Sequence, residues 1–202
     1  MHEPSFPLRV LALVLVSSLA ASPPTKAQEE ARPLGEIAIS EDSLQLRYID
    51  PRSGEDAPGG AAGELGLGLF FSENRDFVVS ANYYAYADRL GARGLTILVG
   101  PVAYGAMLSR DNSDVFAVAL GAEARYELLR RPELTLVGRA AYAPDILTFG
   151  SGDNLWDIVV RAEMPITDRI VGFGGYRLFE VDLLVGNEEL EESIHLGLRY
   201  RF

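Results

Sequence analysis

The chain has 202 residues, 18 of them Lys or Arg and 29 Asp or Glu, for a formal net charge of −11. That acidic balance argues against nucleic acid, which selects basic surfaces. The absence of cysteine excludes disulfides, thiolate metal sites and cysteine nucleophiles.

Residues 8–21 form an apolar run broken only by Arg9 and two serines, and Thr25 and Ala27 then offer a small-x-small cleavage pattern before Gln28. The run falls short of the roughly 20 apolar residues of a spanning helix, so 1–27 reads as a secretory signal peptide rather than an uncleaved anchor. Its removal leaves 16 basic and 28 acidic residues, a net charge of −12. Residues 28–42 read as a polar periplasmic leader, and 43–202 as the folded domain.

Beyond the leader the dominant period is two, the signature of strands with one apolar face. Residues 43–49 set Leu44, Leu46 and Tyr48 against Gln45 and Arg47, and the Pro- and Gly-rich 50–63 is a loop. Strands follow over 64–71, whose Gly66 and Gly68 point to close approach in a narrow barrel, and over 77–87. Residues 95–108 form a long strand in which Gly100-Pro101 predicts a bulge or kink, because proline cannot donate to the ladder. After the turn at 111–114, residues 116–128 alternate most clearly: Phe116, Val118, Leu120 and Tyr126 on one face, Gly121, Glu123, Arg125 and Glu127 on the other.

Residues 134–143 place Arg139 opposite Leu134, Leu136 and Tyr142, and 144–154 is a long loop. In 155–164, Trp156, Ile158, Val160 and Met164 oppose Asp157, Arg161 and Glu163. Residues 170–183 are awkward: with Arg177 inward, strict alternation turns Glu180 and Asp182 outward, which a bulge near Leu178-Phe179 would reverse. An acidic loop at 186–192 precedes the last strand, where Ile194, Leu196, Leu198, Tyr200 and Phe202 form one wall and His195, Gly197, Arg199 and Arg201 the other.

Two architectures absorb these strands: a sandwich or lipocalin-like barrel with the apolar faces inward, or a transmembrane barrel with them outward. The strand lengths, the aromatics near strand ends (Tyr126, Tyr142, Trp156, Tyr200, Phe202), the mixed charges on the opposite faces and the export segment favour the second. The expected fold is therefore all-β, an antiparallel up-and-down transmembrane barrel of eight strands starting at Glu64, or ten if 36–40 pairs with 43–49.

Four stretches carry a family resemblance: Pro101-Val102-Ala103-Tyr104-Gly105, Tyr142-Ala143-Pro144-Asp145-Ile146-Leu147, Gly175-Tyr176-Arg177-Leu178-Phe179-Glu180-Val181-Asp182, and the closing Gly197-Leu198-Arg199-Tyr200-Arg201-Phe202. Together they resemble the YfaZ family of small outer-membrane proteins, over a span from about Ser43 to the end. The resemblance implies a Gram-negative outer-membrane location and a barrel, and brings no catalytic residue with it.

Function is then read from the inward face. Arg47, Glu123, Arg125, Arg139, Asp157, Arg161, Glu163, His195 and Arg199 are expected to form a lumen charge network, either structural or lining a narrow pore for small solutes. Ile194, Leu196, Leu198, Tyr200 and Phe202 are the expected signal to the barrel-assembly machinery. A lipid hydrolase is the third reading: His195, expected to pair with a carboxylate, would need a nucleophile, and only Ser193 stands near it in sequence. Asp111, Asn112 and Asp114, or Glu188, Glu189, Glu191 and Glu192, lack the spacing of a calcium loop. No catalytic residue, metal or cofactor is assigned, and the expected partners are outer-membrane lipid and lipopolysaccharide.

Overall fold

The computed structural model describes residues 32–53, 62–87, 94–109, 113–130, 133–183 and 186–202. The signal-peptide reading of 1–27 lies outside them, as does most of the connections expected at 50–63 and 88–94. The strands are β1 (Leu34–Ile39), β2 (Ser43–Arg52), β3 (Gly63–Ser72), β4 (Phe77–Tyr86), β5 (Leu95–Leu108), β6 (Ser113–Arg130), β7 (Glu133–Ala143), β8 (Thr148–Gly150), β9 (Gly152–Pro165), β10 (Ile170–Leu183) and β11 (Gly186–Arg201).

Each of these strands except β8 pairs antiparallel with its neighbour along the chain, and β1 pairs with β11, so ten strands close into an up-and-down barrel. The short β8 is an addition to the wall, laid against Val115, Phe116 and Ala117 at the start of β6. Strand β1 decides between eight and ten. It is hydrogen-bonded on both edges, Ile37 lying between Leu46 and Leu198, and it alternates Glu36 and Ala38 inward with Ile37 and Ile39 outward. The wall thus starts at Leu34, and the leader drawn to residue 42 is too long.

The side chains are laid out inside-out relative to a soluble core. Leu120 is 73% exposed and Leu196 63%, with Phe116, Trp156 and Leu198 also on the surface, while Glu123, Asp157, Arg161 and Arg177 are buried. This excludes the sandwich reading and is the layout of a transmembrane barrel. Aromatics mark both rims of the apolar belt. Tyr48, Tyr126, Tyr200 and Phe202 lie toward the end where β1 begins and β11 ends, and Phe116 with Phe149 and Tyr142 with Trp156 lie toward the other. The ten-residue step from Phe116 to Tyr126 runs about 33 Å along β6, or about 25 Å along the axis at a tilt near 40°, the height of an outer-membrane hydrocarbon belt.

Three local expectations are corrected. Strand β5 carries no bulge at Gly100-Pro101: its register with β6 is unbroken, and with β4 it is the same before and after, only the rungs at these two residues being missing. Proline withholds its donor there, and Gly100 is needed because a Cβ would strike the Tyr83 carbonyl. Second, the bulge near Phe179 belongs to β11, not β10. Its extra residue leaves Leu190 and Glu191 both buried, while Glu180 pairs directly with Trp156 and stays on the outer face with Asp182, near the end of β10. Third, the expected loops at 144–154 and 186–192 are largely structured, the first as a 3-10 turn (Asp145–Leu147) followed by β8, the second as the beginning of β11.

Candidate functional site

Inward alternation delivers charged side chains from most staves of the barrel into a stack of three layers. The layer nearer the strand ends at Leu34 and Arg201 is a continuous ion-pair web. Arg125 grips Glu64 with two bonds of 2.7 and 2.6 Å and reaches Glu123 on its own strand with Nε at 2.7 Å. Arg199 does the same with Glu163, at 2.8 and 2.6 Å, and gives its Nε to Glu36 at 2.6 Å. Arg161 bridges Glu163 at 2.8 Å and Glu36 at 2.9 Å, and its guanidinium lies 4.4 Å from the centre of the Phe173 ring. Arg47 faces Glu123 and Glu36 at 3.8 and 4.0 Å.

A second layer sits further along the axis. Arg177 donates to Asp157 at 3.0 and 3.2 Å and to Glu191 at 3.2 Å, and its guanidinium lies 4.9 and 4.5 Å from the centres of the Phe70 and Phe179 rings, which meet each other edge to face. Tyr104 adds a hydroxyl to Asp157 at 3.0 Å. Beyond it the lumen turns apolar: Leu108, Val115, Leu155, Phe179, Val181 and Leu190 are buried together toward the end of the barrel where β5 and β10 finish and β6 and β9 begin.

The inward charges of these layers balance. Six arginines (Arg47, Arg125, Arg139, Arg161, Arg177, Arg199) face six carboxylates (Glu36, Glu64, Glu123, Asp157, Glu163, Glu191). Ionised groups persist away from water only when paired and hydrogen-bonded, and the bidentate arginine–carboxylate geometry here meets that condition at four of the six arginines.

All nine residues expected to form the lumen network lie on the inner side of the wall. Arg125, Glu123, Arg161, Glu163 and Arg199 are joined directly, Asp157 joins through Arg177, and Arg139 stands opposite Glu123 in the β6–β7 register. His195 is the correction. It has no carboxylate partner among the described residues; its ring meets Phe173 edge-on at 6.1 Å and its Nδ1 is unpartnered. Ser193 donates to Glu191 at 3.0 Å rather than to His195, so no nucleophile–base pair forms on this strand. Of the acidic run at the start of β11, Glu191 turns into the lumen while Glu189 and Glu192 turn out, which separates them as common ligands.

The expected network lacked Glu36, Glu64, Arg177, Glu191 and Tyr104. Glu36 was legible from the alternation of 36–39, and Glu64 from its even spacing with Gly66 and Gly68. Glu191 was hidden by the bulge, since its inward turn breaks the period.

No family model matches the sequence, and no curated protein matches it. Among solved structures, the outer membrane channel DcaP of Acinetobacter baumannii aligns with a TM-score of 0.41 and 10% identity, over 83% of this chain and 54% of that one. The outer membrane protein Omp33 of the same organism aligns with a TM-score of 0.38 and 13% identity, over 85% of this chain and 98% of that one. This chain therefore spans about half the length of DcaP. At that level of likeness its lumen stands on its own geometry.

Proposed function

We propose that this chain is an exported outer-membrane barrel of the YfaZ family whose lumen is closed and which has no catalytic role. The carrying observation is the pair of stacked seals: a charge-balanced filling of six arginines and six carboxylates, five of the arginines in ion pairs, and beyond it an apolar plug of Leu108, Leu155, Phe179, Val181 and Leu190. A ten-stranded barrel leaves little interior space, and here it is taken up by hydrogen-bonded side chains. The apolar belt of about 25 Å with an aromatic rim at each end supports a seat in lipid, with phospholipid and lipopolysaccharide as neighbours.

In this reading 1–27 is removed on export, and the outward row Ile194, Leu196, Leu198, Tyr200 and Phe202 is what the assembly machinery grips. The narrow-pore alternative needs both seals displaced at once.

Planar-bilayer recording on the folded protein tests the closed lumen. Bilayers should stay silent, and steady open-channel steps would overturn it. Membrane fractionation with boiled and unboiled gel mobility tests the location separately. A heat-modifiable band in the outer membrane is expected, and its absence there would refute the placement.

A further inference from the structure

We infer that the middle of the lumen is a binding site for one small anion of halide size, held between Arg47, Arg139 and Asn82. Between the two charged layers lies a cavity of about 20 Å³ whose lining includes Gln45, Arg47, Ser80, Asn82, Arg139 and Asp157. That is room for a single water or a single halide.

Its unsatisfied atoms are all donors. Arg47 is 7% exposed and its Nη1 has no hydrogen-bond partner, the nearest carboxylates standing at 3.8 and 4.0 Å, beyond hydrogen-bonding reach. Asn82 Nδ2 is buried and unpartnered as well. Arg139 has no carboxylate within ion-pair distance among the described residues, although each of the other five lumen arginines has one. The one acid on the lining is already committed: Asp157 accepts from Arg177 Nε and Nη2 and from Tyr104.

Buried donors left without acceptors are costly, and two guanidinium groups favour an acceptor that is itself charged. Gly66 leaves room for the Asn82 amide, which a Cβ there would strike. The site depends on the interior packing alone and stands whether or not the barrel conducts.

The test is the thermal unfolding midpoint of the whole protein, refolded in detergent at constant ionic strength with sodium chloride replaced stepwise by gluconate, which is too large for the cavity. Once chloride exceeds its dissociation constant, the midpoint should rise about 4 °C per tenfold increase. Asn82→Asp puts a carboxylate beside both arginines and should abolish the dependence. Crystals of the unaltered protein grown in bromide should show an anomalous peak in the cavity, a readout that does not need the variant to fold. Equal midpoints in chloride and gluconate, a chloride dependence retained by Asn82→Asp, or a cavity without bromide would each overturn the site.

Discussion

Glu36 is the most consequential single side chain in the lumen. It accepts from Arg199 Nε at 2.6 Å and from Arg161 at 2.9 and 3.3 Å, with Arg47 at 4.0 Å, so one carboxylate serves three arginines. Glu36→Gln keeps the shape and one acceptor oxygen but removes the charge, leaving the inner face with six positive charges against five negative. Removing one partner of a buried ion pair costs about 3–5 kcal/mol, because the other charge is left uncompensated. For a chain of this size about 4 kcal/mol lowers the unfolding midpoint by roughly 10 °C. The assay is the temperature at which the folded band converts to the unfolded one on unboiled gels, with the exposed turn residue changed in Glu73→Gln as a control expected to stay near zero. The double change Glu36→Gln with Arg199→Gln restores neutrality and should recover part of the loss, since the two sites are coupled. A Glu36→Gln midpoint within 2 °C of the unaltered protein would refute the claim that the web holds the barrel together.

Leu120 is 73% exposed between the two aromatic rims; if that face meets lipid, Leu120→Arg should destabilise by about 2–4 kcal/mol in vesicles, whereas a water-facing position would tolerate it. Phe179→Ala opens the plug where Phe70, Tyr104 and Arg177 lean on that ring, and should cost about 3–5 kcal/mol in denaturant titration. Gly100→Val drives a side chain into the Tyr83 carbonyl and should leave the protein unfolded in the membrane fraction, with no heat-modifiable band. Phe202→Ser removes a half-exposed ring that meets Tyr200 edge-on and lies over Gly35; if the outward row is what an assembly machinery grips, the change should slow insertion while leaving the midpoint of molecules already inserted within about 1 °C, a surface change of small energetic weight.

The outer face was legible because lipid imposes a strict period. In residues 116–128, 155–164 and 194–202 every second side chain is apolar, and strands β6, β9 and β11 turn those faces outward in the structure. What escaped was decided by pairing rather than by period. Six residues suffice for β1 because both edges are hydrogen-bonded and Glu36 is anchored by two arginines, neither of which local alternation can reveal. The acidic start of β11 resembled a loop by composition, yet extends the wall by pairing with β10, and the bulge at Leu190 moved one glutamate across the sheet. In the lumen, the charges on long strands could be assigned a side. Which carboxylate each arginine would hold could not, because Glu36 and Arg161, or Arg125 and Glu64, meet only once the sheet has curled.

The pairing of β1 with β11 joins the two most distant strands of the wall, Leu34 lying opposite Arg201. Contacts of such sequence separation form late, after the intervening hairpins. Until they form, the ribbon has two raw selvages, one on each of these strands, open to zipping onto a stranger. The time this last seam takes to knit sets how long those two borders stay open.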